Sequence, residues 1–360
     1  MTHTSSASNS SVQSHRSPRV IVLAILFVII AAAGLSYVKW WPYYGKALKA
    51  ITDHTLGSSI LGGNVDTSSA PSWILAWDYA VAYFKAVWKA AVLGVLLGSL
   101  VQVLLPSGWL LKVLGKANFK STALAGIASL PAMMCTCCAA PLAVGLRKKN
   151  VSVGASLAFW LGNPTINPAT LIFMTFVLSW KFTMLRLVFG ILLTFGVSYF
   201  ANRFADKSDI PDEVLAAAAE TDTVENGPFL TRWIKSIWSM LLSIVPAYII
   251  FVLILGALRV WLFPAAGIAE GNNLLVIIGF AIAGMLFVIP TAAEIPIIQT
   301  FMSFGLGAGP AGALLLTLPA VSLPSLLMIA RSYPRRVILF VASSVVVLGI
   351  LSGIAGMLFL

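Results

Sequence analysis

The sequence predicts an all-α transmembrane protein on three observations. Charge is scarce, the charge-free stretches are long enough to cross a bilayer, and one spacing of proline and glycine occurs twice. Of 360 residues, 59% are hydrophobic and 10% charged, where a soluble domain carries roughly a quarter charged residues. Val20–Val38, Ser121–Leu146, Val151–Trp180, Ser236–Leu258, Gly271–Ala293, Ile295–Ala330 and Val337–Leu360 each lack Asp, Glu, Lys and Arg. About 20 apolar residues span the hydrocarbon core as a helix, and a lipid-exposed backbone must bond within its own segment. Two shorter runs, Ala90–Leu105 and Leu187–Asn202, bring the candidate spans to nine.

Shifting the sequence by 155 residues lays Pro141 on Pro296, Gly154 on Gly309 and Pro164 on Pro319. Ala158 falls on Ala313, and Leu171 with Ile172 on Leu326 with Leu327. Proline and glycine set backbone geometry, so their spacing carries most of this signal. The predicted build is two repeats of about four spans each, with Pro/Gly-broken helices facing one another, behind an N-terminal span. Residues 1–19 read as a disordered Ser-rich tail and 20–38 as an N-terminal transmembrane anchor. The apolar run continues past the small residues at 31–33, which favours an anchor over a cleaved signal peptide. Residues 39–76 read as an extramembrane loop, 77–204 as the first membrane repeat and 232–360 as the second. Between the repeats, 205–231 is an acidic linker holding seven of the twelve acidic residues.

The net charge of +11 does not point to nucleic acid. The cations cluster at span ends, as at Lys112, Lys116 and Lys120, or Arg147 to Lys149, where they anchor loops to phospholipid head groups. The expected partner is therefore the lipid bilayer, and the expected location is the cell (inner) membrane as a multi-pass protein. Lys and Arg totals are nearly equal on the two sides, so orientation stays open. Phosphate-binding loops, dinucleotide fingerprints and hydrolase triads are all missing. The chain reads as no enzyme, without a cofactor. Any pumping requires a coupling ion or a separate partner.

Helix-breaking residues are dense, and in lipid a broken helix must line a cavity or be buried in protein. Pro141, Pro164 and Pro168 in the first half, and Pro296, Pro319 and Pro324 in the second, are the expected structural breaks. Three features beside them can carry recognition of a small-molecule or ion substrate. The first is Met133-Met134-Cys135-Thr136-Cys137-Cys138, which holds every cysteine of the chain. Thiolates and thioethers favour soft partners such as Cu(I) or trivalent arsenic, adjacent cysteines can exchange disulfides, and both residue types also serve as apolar filling. Cys135 and Cys137 are expected to share a cavity through a non-helical turn. No histidine lies in any span, which argues against a Cys/His zinc site, and no metal is assigned. The second feature is Glu294, the one acidic residue from 271 to 360. A membrane carboxylate marks a proton or ion pathway, or else caps a helix end. The third is the double Asn-Pro step with Asn163, Thr165 and Asn167, matched in the second half by Ser322. These groups either line the path or satisfy each other and the freed carbonyls.

At these residues the sequence resembles the family of predicted permeases that includes the bacterial organoarsenical efflux permease. The resemblance rests on Cys135-Thr136-Cys137-Cys138, Pro141-Leu142-Ala143, Gly145–Lys149 and Gly162–Pro168. In the second half it rests on Ala293-Glu294-Ile295-Pro296 and Leu318–Pro324. It runs from about Val92 to Leu360 and implies a permease with about eight core helices. Cys138 stands where the family usually has Gly, and Asn163 where Gly or another small residue is common. Together these readings lead us to expect a permease exporting soft, thiol-reactive species such as organoarsenicals or metals, coupled to an ion gradient. A transporter of a sulfur-containing metabolite and a membrane thiol-redox or assembly protein are the alternatives.

Overall fold

The computed structural model describes residues 18–60, 73–105, 107–205, 228–262 and 273–360, all helices and connections with no strand among them. The expected tail at 1–19 lies outside the described residues up to position 17, and the expected acidic linker from 206 to 227.

Helix α1 (Pro18–Leu35) does not stop where the sequence suggests. It passes through a π-helical turn, Ser36–Trp40, into α2 (Trp41–Asp53). An extramembrane loop beginning at residue 39 is thus corrected to a continuing helix up to Asp53. Pro42, which has no N–H to donate to the turn before it, follows directly on this wider turn in α2. His54, in the left-handed conformation with φ 51°, ends it.

The first half continues with α3 (Trp73–Leu104), α4 (Ser107–Leu114), α5 (Phe119–Ser129), α6 (Thr136–Lys148), α7 (Val153–Thr165) and α8 (Pro168–Val177). Then α9 (Trp180–Ile191) runs on through a π-helical turn and α10 (Ser198–Ala201) as one rod from Trp180 to Phe204. The second half holds α11 (Phe229–Leu262), α12 (Leu274–Leu286), α13 (Glu294–Ser303), α14 (Ala308–Ala320), α15 (Leu323–Ile329) and α16 (Arg335–Phe359). Five helical stretches are long and apolar enough to cross a membrane, with two shorter apolar helices besides. Nine charge-free runs do not give nine rods, because Ser121–Leu146, Val151–Trp180 and Ile295–Ala330 are each divided into shorter helices.

The 155-residue spacing recurs in the helix boundaries. Val153–Thr165 is followed 155 residues on by Ala308–Ala320, and Trp180–Phe204 by Arg335–Phe359. Even the connections correspond. After α6, Asn150 (φ 58°) closes the helix, with Val151 N–H donating to Leu146 O and Asn150 N–H to Arg147 O. After α13, Gly305 (φ 94°) does the same, with Leu306 N–H donating to Phe301 O and Gly305 N–H to Met302 O. Both are Schellman caps, whose left-handed residue satisfies the last carbonyls.

The prolines behave differently from expectation. Pro141 lies inside α6, Pro164 inside α7 and Pro319 inside α14, and Pro296 is the third residue of α13. A first-turn proline lacks only a donor that has no partner there anyway, so Pro296 breaks nothing. Pro141 forgoes one bond in a helix held from all sides by protein. The chain breaks at Ile166–Asn167 and Val321–Ser322, and Pro168 and Pro324 open the helices that follow.

Close approach of backbones holds this together. A Cβ on Gly94 would lie 2.2 Å from Cys138 O, and one on Gly98 2.6 Å from Pro141 O. Two glycines four apart on α3 therefore let α6 seat directly on it. In lipid, where apolar burial between helices gains little, such small-residue contacts carry association.

Candidate functional site

The N-termini of α6 and α13 are presented by two irregular stretches, each with a left-handed non-glycine residue, Met133 (φ 49°) and Ala292 (φ 68°). Cys135 is the N-cap of α6, extended at φ −76° and ψ 166°, and Cys138 is its third helical residue. In an ordinary capping box the N-cap and N3 side chains lie near each other, each accepting from the other residue's backbone N–H. Here the two that meet are thiols, with Sγ atoms 2.9 Å apart. Cys137 turns away to Ser322, Sγ to Oγ 3.6 Å. The expected partnership of Cys135 with Cys137 is thus corrected to Cys135 with Cys138, because the helix begins at Thr136. All three thiols are free and buried.

Cys135 and Cys138 line a cavity of 440 Å³ that also receives Lys39 from the π-helical turn and Thr291 from the stretch before α13. Lys39 is buried, and its Nζ donates to Tyr43 Oη at 3.0 Å and Thr291 Oγ1 at 3.1 Å. Sequence reasoning missed Lys39 by placing it at the head of a loop. Its i,i+4 spacing to Tyr43 was the available signal.

Glu294 opens α13. Its Oε1 accepts from Arg186 Nη1 at 2.5 Å, and both side chains are fully buried. Arg186 Nη2 donates to Pro164 O at 2.6 Å and Nε to Thr165 O at 3.1 Å. One guanidinium therefore satisfies two carbonyls left open at the end of α7 and a carboxylate from the other half. Glu294 Oε2 and Thr170 Oγ1 have no hydrogen-bond partner among the described residues. Both residues, with Cys135, line a second, small cavity. Arg186 was also missed, since the apolar run was counted from Leu187, one residue after it.

The amides and hydroxyls hold backbone together. Asn163 Oδ1 accepts from Met134 N–H at 3.2 Å, pinning the turn before Cys135, and its Nδ2 donates to Phe159 O at 2.8 Å. Thr165 bonds Leu161 O at 2.6 Å and Thr194 Oγ1 at 2.8 Å. Asn167 caps α8 through Ala169 N–H and Thr170 N–H, while its Nδ2 is buried without a partner among the described residues. Ser322 caps α15 in a reciprocal box with Ser325. The eight expected site residues thus gather at the broken-helix junctions. Cys135, Cys138 and Glu294 reach a cavity, while Asn163, Thr165, Asn167 and Ser322 bond to backbone or cap helices.

Apolar helices, some long enough to span and others broken in mid-course around buried charges, define a multi-pass membrane protein. The chain belongs to the family of predicted permeases, which matches residues 132–359. It is 50% identical over 335 residues to the UPF0718 protein YraQ of Escherichia coli, covering 93% of this chain and 94% of that one. It is 22% identical over 333 residues to the UPF0718 protein MJ0584 of Methanocaldococcus jannaschii, covering 75% and 91%. No solved structure matches. Family membership supports a transporter rather than an enzyme.

Proposed function

We propose that this permease exports small, soft, thiol-reactive solutes, such as trivalent organoarsenicals or soft metal ions, across the cytoplasmic membrane at the expense of an ion gradient. The observation that carries the reading is the convergence of Cys135 and Cys138 on one cavity between the N-termini of α6 and α13. Two thiols within contact of each other can bind one soft atom together. The buried Arg186–Glu294 pair supplies a group able to sense a coupling ion, since ionisable residues inside a membrane mark such pathways. A two-repeat build, favoured by the matching helix boundaries, suits alternating access around a fixed central site.

The test is flux in vesicles holding this protein alone, with a trivalent arsenical as probe. Replacing Cys135 and Cys138 together by Ser keeps size and removes softness, and flux should fall to background. Full flux in that double variant overturns the reading. One observation favours a second reading: Cys135 and Cys138 form a Cys-x-x-Cys at a helix N-terminus, the arrangement of dithiol oxidoreductases. In that case the two thiols pass two electrons and two protons to a partner's disulfide, forming their own bond as the partner's breaks. Alkylation would then detect a Cys135–Cys138 disulfide in cells, with no flux to lose.

A further inference from the structure

The cavity beside the thiols holds charge that the transport reading leaves unused. Four lysines line it, Lys39, Lys46, Lys85 and Lys89, and none of its described lining residues is acidic. Lys39 reaches deepest. It is 5% exposed, and both of its hydrogen bonds go to neutral hydroxyls, those of Tyr43 and Thr291. Among the described residues no carboxylate lies within ion-pair distance of it. Lys46 and Lys89 rest against aromatic rings, at 5.8 Å from the Tyr43 centroid and 5.7 Å from that of Tyr37.

An ammonium taken from water with no carboxylate beside it is expensive to keep charged. Lys39 stands in a π-helical turn, a distortion that recurs at functional positions. The lining also holds Ala292, whose left-handed backbone is another local cost kept where a site requires it. Two independent distortions therefore present Lys39 and Thr291 to the same space. At 440 Å³ that space is of ligand size.

The geometry points to an anion-binding site, in which a small oxyanion takes the third donor of Lys39 and the hydroxyl of Thr291, and Lys46, Lys85 and Lys89 draw it in. The site has a soft side as well, since Cys135 and Cys138 line the same cavity. Resting on the transport reading, the solute is an oxyanion built on a soft acceptor atom, with oxygens toward Lys39 and that atom toward the thiols. A phospholipid phosphate offers the same oxygens and is the other source of this chemistry.

The experiment is thermal unfolding of the full chain in neutral detergent, titrated at constant ionic strength with thiosulfate, with sulfate and with short-chain phosphatidylglycerol, against chloride. The midpoint should rise saturably with a free oxyanion, and Lys39→Gln should weaken the apparent affinity roughly tenfold or more through loss of a charge-assisted bond. Lys116→Gln, on an exposed residue outside the cavity, should leave it unchanged. Should Lys39→Gln fail to fold, Lys85→Gln with Lys89→Gln tests the same site from its approach and should weaken binding severalfold. A saturable rise with phosphatidylglycerol alone, lost in these variants, assigns the site to a lipid head group. No saturable rise with any probe, or an equal rise in the variants that fold, overturns it. Anion binding that survives Cys135→Ser with Cys138→Ser, when that pair leaves flux untouched, sinks the thiol reading and leaves the anion site standing.

Discussion

Arg186 Nη1 donates to Glu294 Oε1 at 2.5 Å, and this pair is the one buried ion pair among the described residues. It ties α9 of the first half to α13 of the second. It also holds the end of α7, because the same guanidinium bonds Pro164 O and Thr165 O.

Glu294→Gln should leave insertion intact, abolish or uncouple transport, and lower the unfolding midpoint. Removing one partner of a buried pair costs about 3–5 kcal/mol where nothing replaces it, and Gln, which keeps one acceptor, should cost less. Arg186→Met with Glu294→Met should melt above Arg186→Met or Glu294→Met alone, as an apolar pair strands no charge. Flux with an unchanged pH dependence in Glu294→Gln would make the pair purely structural.

The thiols should separate into two classes. Cys135→Ser and Cys138→Ser should each reduce flux of a thiophilic solute, whereas Cys137→Ser, whose sulfur faces Ser322, should retain most of it. Equal losses at all three positions would return the site to the Cys135–Cys137 pairing.

Gly98→Ala should reduce folded yield, and Gly94→Ala should reduce it further. The added Cβ meets Cys138 O at 2.2 Å or Pro141 O at 2.6 Å, both backbone atoms that no rotamer change can move. Detergent-resistant monodispersity measures this, and wild-type yield from both variants would show that α3 and α6 sit further apart.

Asn150→Gly should be neutral or stabilising, since its counterpart after α13 is Gly305 in the same cap. Asn150→Val should cost about 1–2 kcal/mol, the penalty of a left-handed conformation. Equal midpoints for the Gly and Val variants would mean this cap relaxes freely.

Membrane residence, helical class and the 155-residue spacing were legible in the sequence, because each is a property of composition or of local backbone chemistry. Charge-free length needs no knowledge of neighbours, and proline and glycine act on their own turn. Cys135 to Cys138, Glu294, Asn163, Asn167 and Ser322 were legible as polar or soft residues beside helix breaks. Their partners were not. Lys39 looked like the start of a loop and Arg186 like the edge of a span, since a cation's role in lipid depends on what packs opposite it. Which thiols face each other turned on where α6 begins, a single residue that no periodicity specifies. Only the tertiary structure could set Lys39 against Thr291, 252 positions away, and Arg186 against Glu294, 108 positions away. Such pairings follow from how the halves pack, and no segment carries that information alone.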